Sequence, residues 1–157
     1  MSDISFSDLT FISREELAEQ FRNSPSASQA PDNLAIIDVR DSDHVGGHIK
    51  GSTWVPSSEL DFKTPELVRS LKDKEVVVFH CALSQQRGPS AALRYLREKR
   101  RLDPESTTVT KEGKGGKEKK EQRVVVLKGG FTQWQEKYGL DETLTEGWQK
   151  DIWEFGS

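Results

Sequence analysis

Three short runs of this chain are almost continuously apolar: LAIIDVR (34–40), EVVVFH (75–80) and RVVVLKGG (123–130). Runs of that length without alternation predict strands covered on both faces. The stretches between them repeat apolar residues at helical spacing. SREELAEQF sets Ser13 three residues ahead of Glu16, a capping box, and continues with Leu17, Ala18 and Phe21, which predicts a helix over 14–22. TPELVRSLK offers Thr64 as an N-cap and Pro65 in the first turn. PSAALRYLREKRR (89–101) gathers its basic residues at its C-terminal end, where they complement the helix dipole. FTQWQEKYG (131–139) predicts a last short helix stopped by Gly139.

The remaining segments are connections. NSPSASQAPDN (23–33) is a polar loop, and GGHIKGSTWVP leads through turns into a brief strand near 53–55. KEGKGGKEKKEQR (111–123) mixes both charge signs with three glycines and no apolar residue, which predicts a solvated, flexible insertion spanning about 104–122. The tail, about 141–157, carries Trp148, Ile152 and Phe155 on one helical stripe, the pattern of a strap packed on the core. Strands alternating with helices predict an α/β architecture, a parallel sheet with helices on both faces, in a single domain over 1–157.

A length of 157 residues suits one core. A net charge of -3 gives no global field toward nucleic acid or a membrane surface, so neither is expected as a partner. The single cysteine excludes an internal disulfide, and the first residues lack the basic and apolar regions of a secretory leader. These features lead to the expectation of a soluble intracellular protein, cytoplasmic with the nucleus also open.

The cysteine carries the chemistry. HCALSQQRGPSAA (80–92) joins a buried strand to a helix, and open α/β sheets place their ligand sites at strand ends of this kind. The helix beginning near Pro89 points unpaired N–H groups and its positive dipole end back toward the loop. Arg87 closes the loop with a planar fork matched to two oxygens of a tetrahedral anion. Together the N–H groups of Ala82, Leu83, Ser84, Gln85, Gln86 and Arg87 form an anion nest that favours thiolate at Cys81. Gly88 offers backbone angles other residues avoid. His80 props the loop from behind or tunes the thiolate. Asp38 orients the loop, and Arg40 pairs with Asp43. Asp41, Asp43 and His44 stand as alternative proton donors. His44 and His48 flank Gly46 and Gly47, a loop rather than a helix, and without further ligands no metal is expected.

The Cys81-to-Arg87 spacing in this setting resembles the cysteine-dependent phosphatases, and HCALSQQRGPSAA looks like their rhodanese-fold branch. That branch includes the cell-division-cycle dual-specificity phosphatases, their small fungal and plant relatives, and eukaryotic arsenate reductases. IIDVRDSDHVGGHIKGS and VVVLKGGFTQWQ resemble two further motifs of that domain, in the right order. The resemblance implies a rhodanese-like, five-stranded parallel sheet in the order 1-5-4-2-3, with Cys81 ending the central strand. It implies a loop one residue longer than in sulfurtransferases of this fold, sized for phosphate or arsenate.

Two departures matter. Ala82 and Gln86 stand where the cell-cycle enzymes carry acidic residues, so the loop has no carboxyl proton donor. There is also little room for the C-terminal extension with which those enzymes dock kinases. The expectation is a phosphatase acting on aryl phosphomonoesters, phosphotyrosine included, through a cysteinyl-phosphate. An arsenate reductase using external glutathione and glutaredoxin is the alternative. A thiosulfate sulfurtransferase and a non-catalytic module binding phosphorylated ligands follow. The expected partners are a phosphorylated substrate or arsenate, and no resident cofactor is expected.

Overall fold

The computed structural model describes residues 5–22, 33–41, 43–84, 86–102, 107–109 and 121–154. In chain order the elements are β1 (Thr10–Ile12), α1 (Arg14–Arg22), β2 (Leu34–Asp38), β3 (His48–Ile49), β4 (Thr53–Trp54), α2 (Leu60–Ser70), β5 (Val76–His80), α3 (Arg87–Leu102), β6 (Thr107–Val109), β7 (Glu121–Leu127), α4 (Gly130–Tyr138), β8 (Thr145–Glu146) and α5 (Lys150–Glu154). β1, β7, β5, β2 and β4 lie side by side in that order, all parallel, which is the expected 1-5-4-2-3 arrangement. β6 adds to the first half of β7.

The apolar runs work as strands because successive residues serve opposite faces. Ile37, Val77, Phe79, Val124 and Val126 pack under α2 and α3 with Tyr95 and Leu96. Ile36, Val78, Val125 and Leu127 pack on the other face against Leu17 and Phe21 of α1 and Phe131 and Trp134 of α4. Both faces of the sheet's centre are therefore covered, and polar Arg123 is half-buried at the first half of β7, away from the covered run Val124–Leu127.

Three expectations change. The helix expected at Thr64 begins at Leu60, so Thr64 is not its N-cap and Pro65 lies inside it. Buried Leu60 pulls the extra turn onto the core, and the Thr64 hydroxyl donates to the Leu60 carbonyl at 2.6 Å. The last strand ends at Leu127, because Gly129 and Gly130 at φ 81° and 62° form the turn into α4. The charged insertion is shorter than its expected bounds of about 104–122. Thr107–Val109 is strand, and Gln122 is buried, accepting from the Tyr95 hydroxyl at 2.9 Å. Residues 110–120 lie outside the described residues.

In the tail, Trp153 is packed against the core. Trp153 packs on Phe131 with ring centroids 5.6 Å apart, and its indole N–H donates to the Gly46 carbonyl at 2.9 Å. Trp148 donates to Gln135, and β8 pairs with β3. Phe155 lies outside the described residues. Among the described residues no helix is long and apolar enough to cross a membrane.

Candidate active site

The central strand β5 ends at His80, and the chain turns at once so that α3 can start at Arg87. Ser84 makes the turn at φ 58°, a left-handed conformation that costs a non-glycine residue about 1 kcal/mol or more. That strain is matched by two local contacts. The Ser84 N–H points to Cys81 Sγ at 3.2 Å, and its hydroxyl accepts from the Cys81 N–H at 3.4 Å. The positive φ thus falls on Ser84 and not on Gly88, as the sequence had suggested. Gly88 sits tight against the loop, since a Cβ there would lie 3.3 Å from both His80 Cα and Ser84 Oγ and would require them to shift by a few tenths of an ångström.

Two helices converge on this turn. α3 brings its free N–H end and Arg87. α4 comes from the other side, with the N–H groups of Phe131 and Thr132 donating to the carbonyls of Cys81 and Ala82, each at 2.9 Å. The approach is close enough that a Cβ on Gly130 would sit 2.4 Å from the Ala82 oxygen. The carbonyls of Cys81 and Ala82 are thereby turned back onto α4. Cys81, Ala82, Leu83, Gln86 and Arg87 line a cavity of about 170 Å³. Cys81 is only 3% exposed. Gln85 lies outside the described residues.

Arg87 is held from behind the cavity by residues far away in sequence. Its Nη1 and Nη2 donate to the two Asp43 oxygens at 2.8 and 2.6 Å, and Nη1 also reaches Asp41 at 3.3 Å. Asp41 is itself fixed by the Ser57 hydroxyl at 2.5 Å and the Ser58 N–H at 3.2 Å. The Arg87 pair holds the Asp43 carboxyl down to about 2, against the opposing effect of burial. Asp41 is lowered as well; burial pushes it up, but the Ser57, Ser58 and Arg87 bonds prevail. Both are ionised, so neither is a ready proton donor in this arrangement.

Arg40 therefore does not pair with Asp43. It forms a buried fork with Asp38, with Nε at 3.0 Å and Nη2 at 2.7 Å, and lies 4.5 Å over the Phe131 ring. Burial raises the Asp38 carboxyl, while the hydrogen bonds and charge of the Arg40 fork pull it down further, so it stays charged. His80 is fully buried behind the loop. Its Nδ1 donates to the Cys81 carbonyl at 3.1 Å, and its Nε2 has no hydrogen-bond partner among the described residues. His44 stacks on Trp54 and faces Asp38 at 3.4 Å, away from Arg87. His48 sits in β3, bonded to Glu146. No cluster able to hold a metal ion occurs among the described residues.

Sequence spacing was enough to bring Cys81, Arg87 and the loop between them together. It did not reveal the Asp41–Asp43 grip on Arg87 or the α4 N–H groups on the loop. The only local signals were two aspartates flanking one residue and the Gly129–Gly130 pair.

Residues 14–137 match the rhodanese-like domain. The chain is 34% identical to the CDC25-like phosphatase YCH1 of Saccharomyces cerevisiae over 98% of its own length and 99% of that protein's. It is 35% identical to arsenate reductase 2.1 of Oryza sativa, over 81% of this chain and 68% of that one. The solved structure of a yeast protein tyrosine phosphatase of the rhodanese family superposes with a TM-score of 0.65 at 32% identity, covering 96% of this chain and 99% of that chain. The order of the sheet, the loop at the end of its central strand and these matches lead to one assignment: the chain belongs to the rhodanese family.

Proposed function

We propose that this protein is a cysteine-dependent phosphatase that hydrolyses aryl phosphomonoesters, phosphotyrosine among them. The Cys81 thiolate attacks phosphorus, forming an S–P bond as the P–O bond to the leaving phenolate breaks. Water then attacks the cysteinyl-phosphate, the S–P bond breaks, and inorganic phosphate leaves with the thiolate restored. Arg87 and the N–H groups of the 82–87 loop hold the equatorial oxygens as charge moves onto them. Asp38, His80 and Gly88 support the loop through the contacts described above. The observation that carries this reading is the convergence of Cys81, Arg87 and the α3 N-terminus on one small cavity.

The leaving group follows from the acids. Asp41 and Asp43 are ionised against Arg87, His44 faces Asp38, and Ala82 and Gln86 bring no carboxyl to the loop. A phenolate departs without a proton far more easily than an alkoxide, which favours aryl esters. Hydrolysis of p-nitrophenyl phosphate, abolished in Cys81→Ser, is the expected result. A wild-type rate equal to that variant's would overturn the proposal.

Arsenate reduction is the second reading, favoured by the likeness to the rice protein and to an arsenic–antimony reductase structure from Leishmania major, at 30% identity and TM-score 0.63. The thiolate would displace water from arsenate. A glutathione thiolate would then attack the Cys81 sulfur, releasing arsenite and leaving a mixed disulfide for glutaredoxin or a second glutathione to reduce. Two thiols supply the two electrons. Cys81 is the only cysteine, so the reductant comes from outside the chain. Glutathione-dependent arsenate reduction, run beside the phosphatase assay, ranks the two activities.

A further inference from the structure

A guanidinium presents two forks, an end-on edge formed by Nη1 and Nη2 and a side-on edge formed by Nε and Nη2. In Arg87 the end-on edge is filled by Asp43, and Asp41 takes a further Nη1 proton. Nε has no partner among the described residues, and Arg87 lines the cavity beside Cys81. The carboxylates are not loose surface charges. The Asp41 N–H donates to Asp43 at 2.9 Å, and Asp41 is tied to Ser57 and Ser58 at the entry to α2. This chain of contacts fixes the plane of the guanidinium, which a single exposed ion pair would not do.

We propose that Asp43, backed by Asp41, is a positioning residue that clamps the end-on edge of Arg87 so that its side-on edge meets two oxygens of the bound oxyanion. The inference rests on Arg87 being the anion-binding residue of the function proposed above. The clamp lowers the net positive charge at the site in exchange for orientation. Orientation matters most for a five-coordinate species, whose equatorial oxygens demand alignment, and less for a tetrahedral ground state. A rival geometry would make Asp43 a latch that occupies the anion's own place on Arg87.

Orthovanadate, a five-coordinate analogue when bound to a thiolate, and inorganic phosphate separate these cases. Asp43→Asn is expected to weaken orthovanadate about tenfold, and phosphate by no more than about twofold. Asp43→Glu, which keeps the carboxylate, should recover part of the vanadate affinity. Unchanged or tighter vanadate binding in Asp43→Asn would overturn the clamp, as would equal weakening of both anions. Aryl-phosphate turnover by the wild type, measured on the same preparations, reports on the proposed function separately. Absent turnover with the vanadate–phosphate split intact defeats that function and sustains the clamp. Failure of the wild type to bind either anion overturns both.

Discussion

His80 illustrates how one buried residue links the loop to the stability of the fold. Burial pushes its imidazole well down, and the attraction of Asp38 at 3.9 Å does not reverse that, so the ring is neutral. In the unfolded chain a histidine titrates near 6.5 and takes up a proton as the pH falls, whereas the folded His80 does not. Stability is therefore full above about 6.5 and declines below it, by up to about 1.4 kcal/mol per pH unit for each such histidine. His44, also lowered by burial, adds to the trend. The melting temperature should drop between pH 7.5 and 5.5, and His80→Gln should show a smaller drop. An identical pH dependence in the variant would refute the assignment. The same scale shows which pairings a sequence carries. Cys81 and Arg87 were legible because one turn connects them. Arg87 with Asp43 was not, because the partners are 44 residues apart and Arg40, nearer in sequence, offered an equally good charge.

Elements were legible wherever their apolar pattern matched their own burial. α1, β2, β5, α3 and α4 each bury the stripe or run that foretold them. α2 was misplaced because a good capping signal at Thr64 competed with a tertiary demand, the burial of Leu60, and the tertiary demand won. The stripe Trp148, Ile152 and Phe155 left out Trp153 for a related reason. Trp153 reaches the core only because Gly46, at φ 80°, leaves room; a Cβ there would lie 2.6 Å from the indole nitrogen. Such a long-range vacancy leaves no mark on helical periodicity. The strap also touches the site, since Trp153 packs on Phe131, whose backbone N–H holds the Cys81 carbonyl and whose ring lies under Arg40. Trp153→Ala is expected to cost about 2 kcal/mol, less than full burial would give because the indole is only partly covered. Urea unfolding measures this. A change below about 0.5 kcal/mol, the size of an ordinary surface substitution, would show the strap is not part of the core.

At the scale of the whole molecule, the sheet order brings four separate stretches to one edge. Parallel strands all end on the same side, so residues 38–41 with 43, 81–84 with 86–87, and 129–132 meet there, and β4 delivers Ser57 beside them. The charged segment attaches elsewhere. β6 ends at Val109, paired with Arg123, and β7 begins at Glu121. Leu127 lies four residue steps beyond Arg123, a distance of about 13 Å along the strand, so both attachment points lie toward the end of β7 remote from Cys81. A bridge from Val109 to Glu121 must cover one strand spacing and two residues of register, about 8 Å. A five-residue connection reaches about twice that. Replacing 111–120 with a four-residue Gly/Ser linker roughly halves the loop, which changes closure entropy by about 0.6 kcal/mol in the stabilising direction. The residues removed include none that is apolar, so no loss of apolar burial is expected. The melting temperature and the kcat/KM for p-nitrophenyl phosphate should both be retained. A large fall in melting temperature would mean the segment packs on the domain. Lost turnover on a phosphopeptide, with p-nitrophenyl phosphate turnover intact, would instead make it part of the surface that receives a macromolecular substrate.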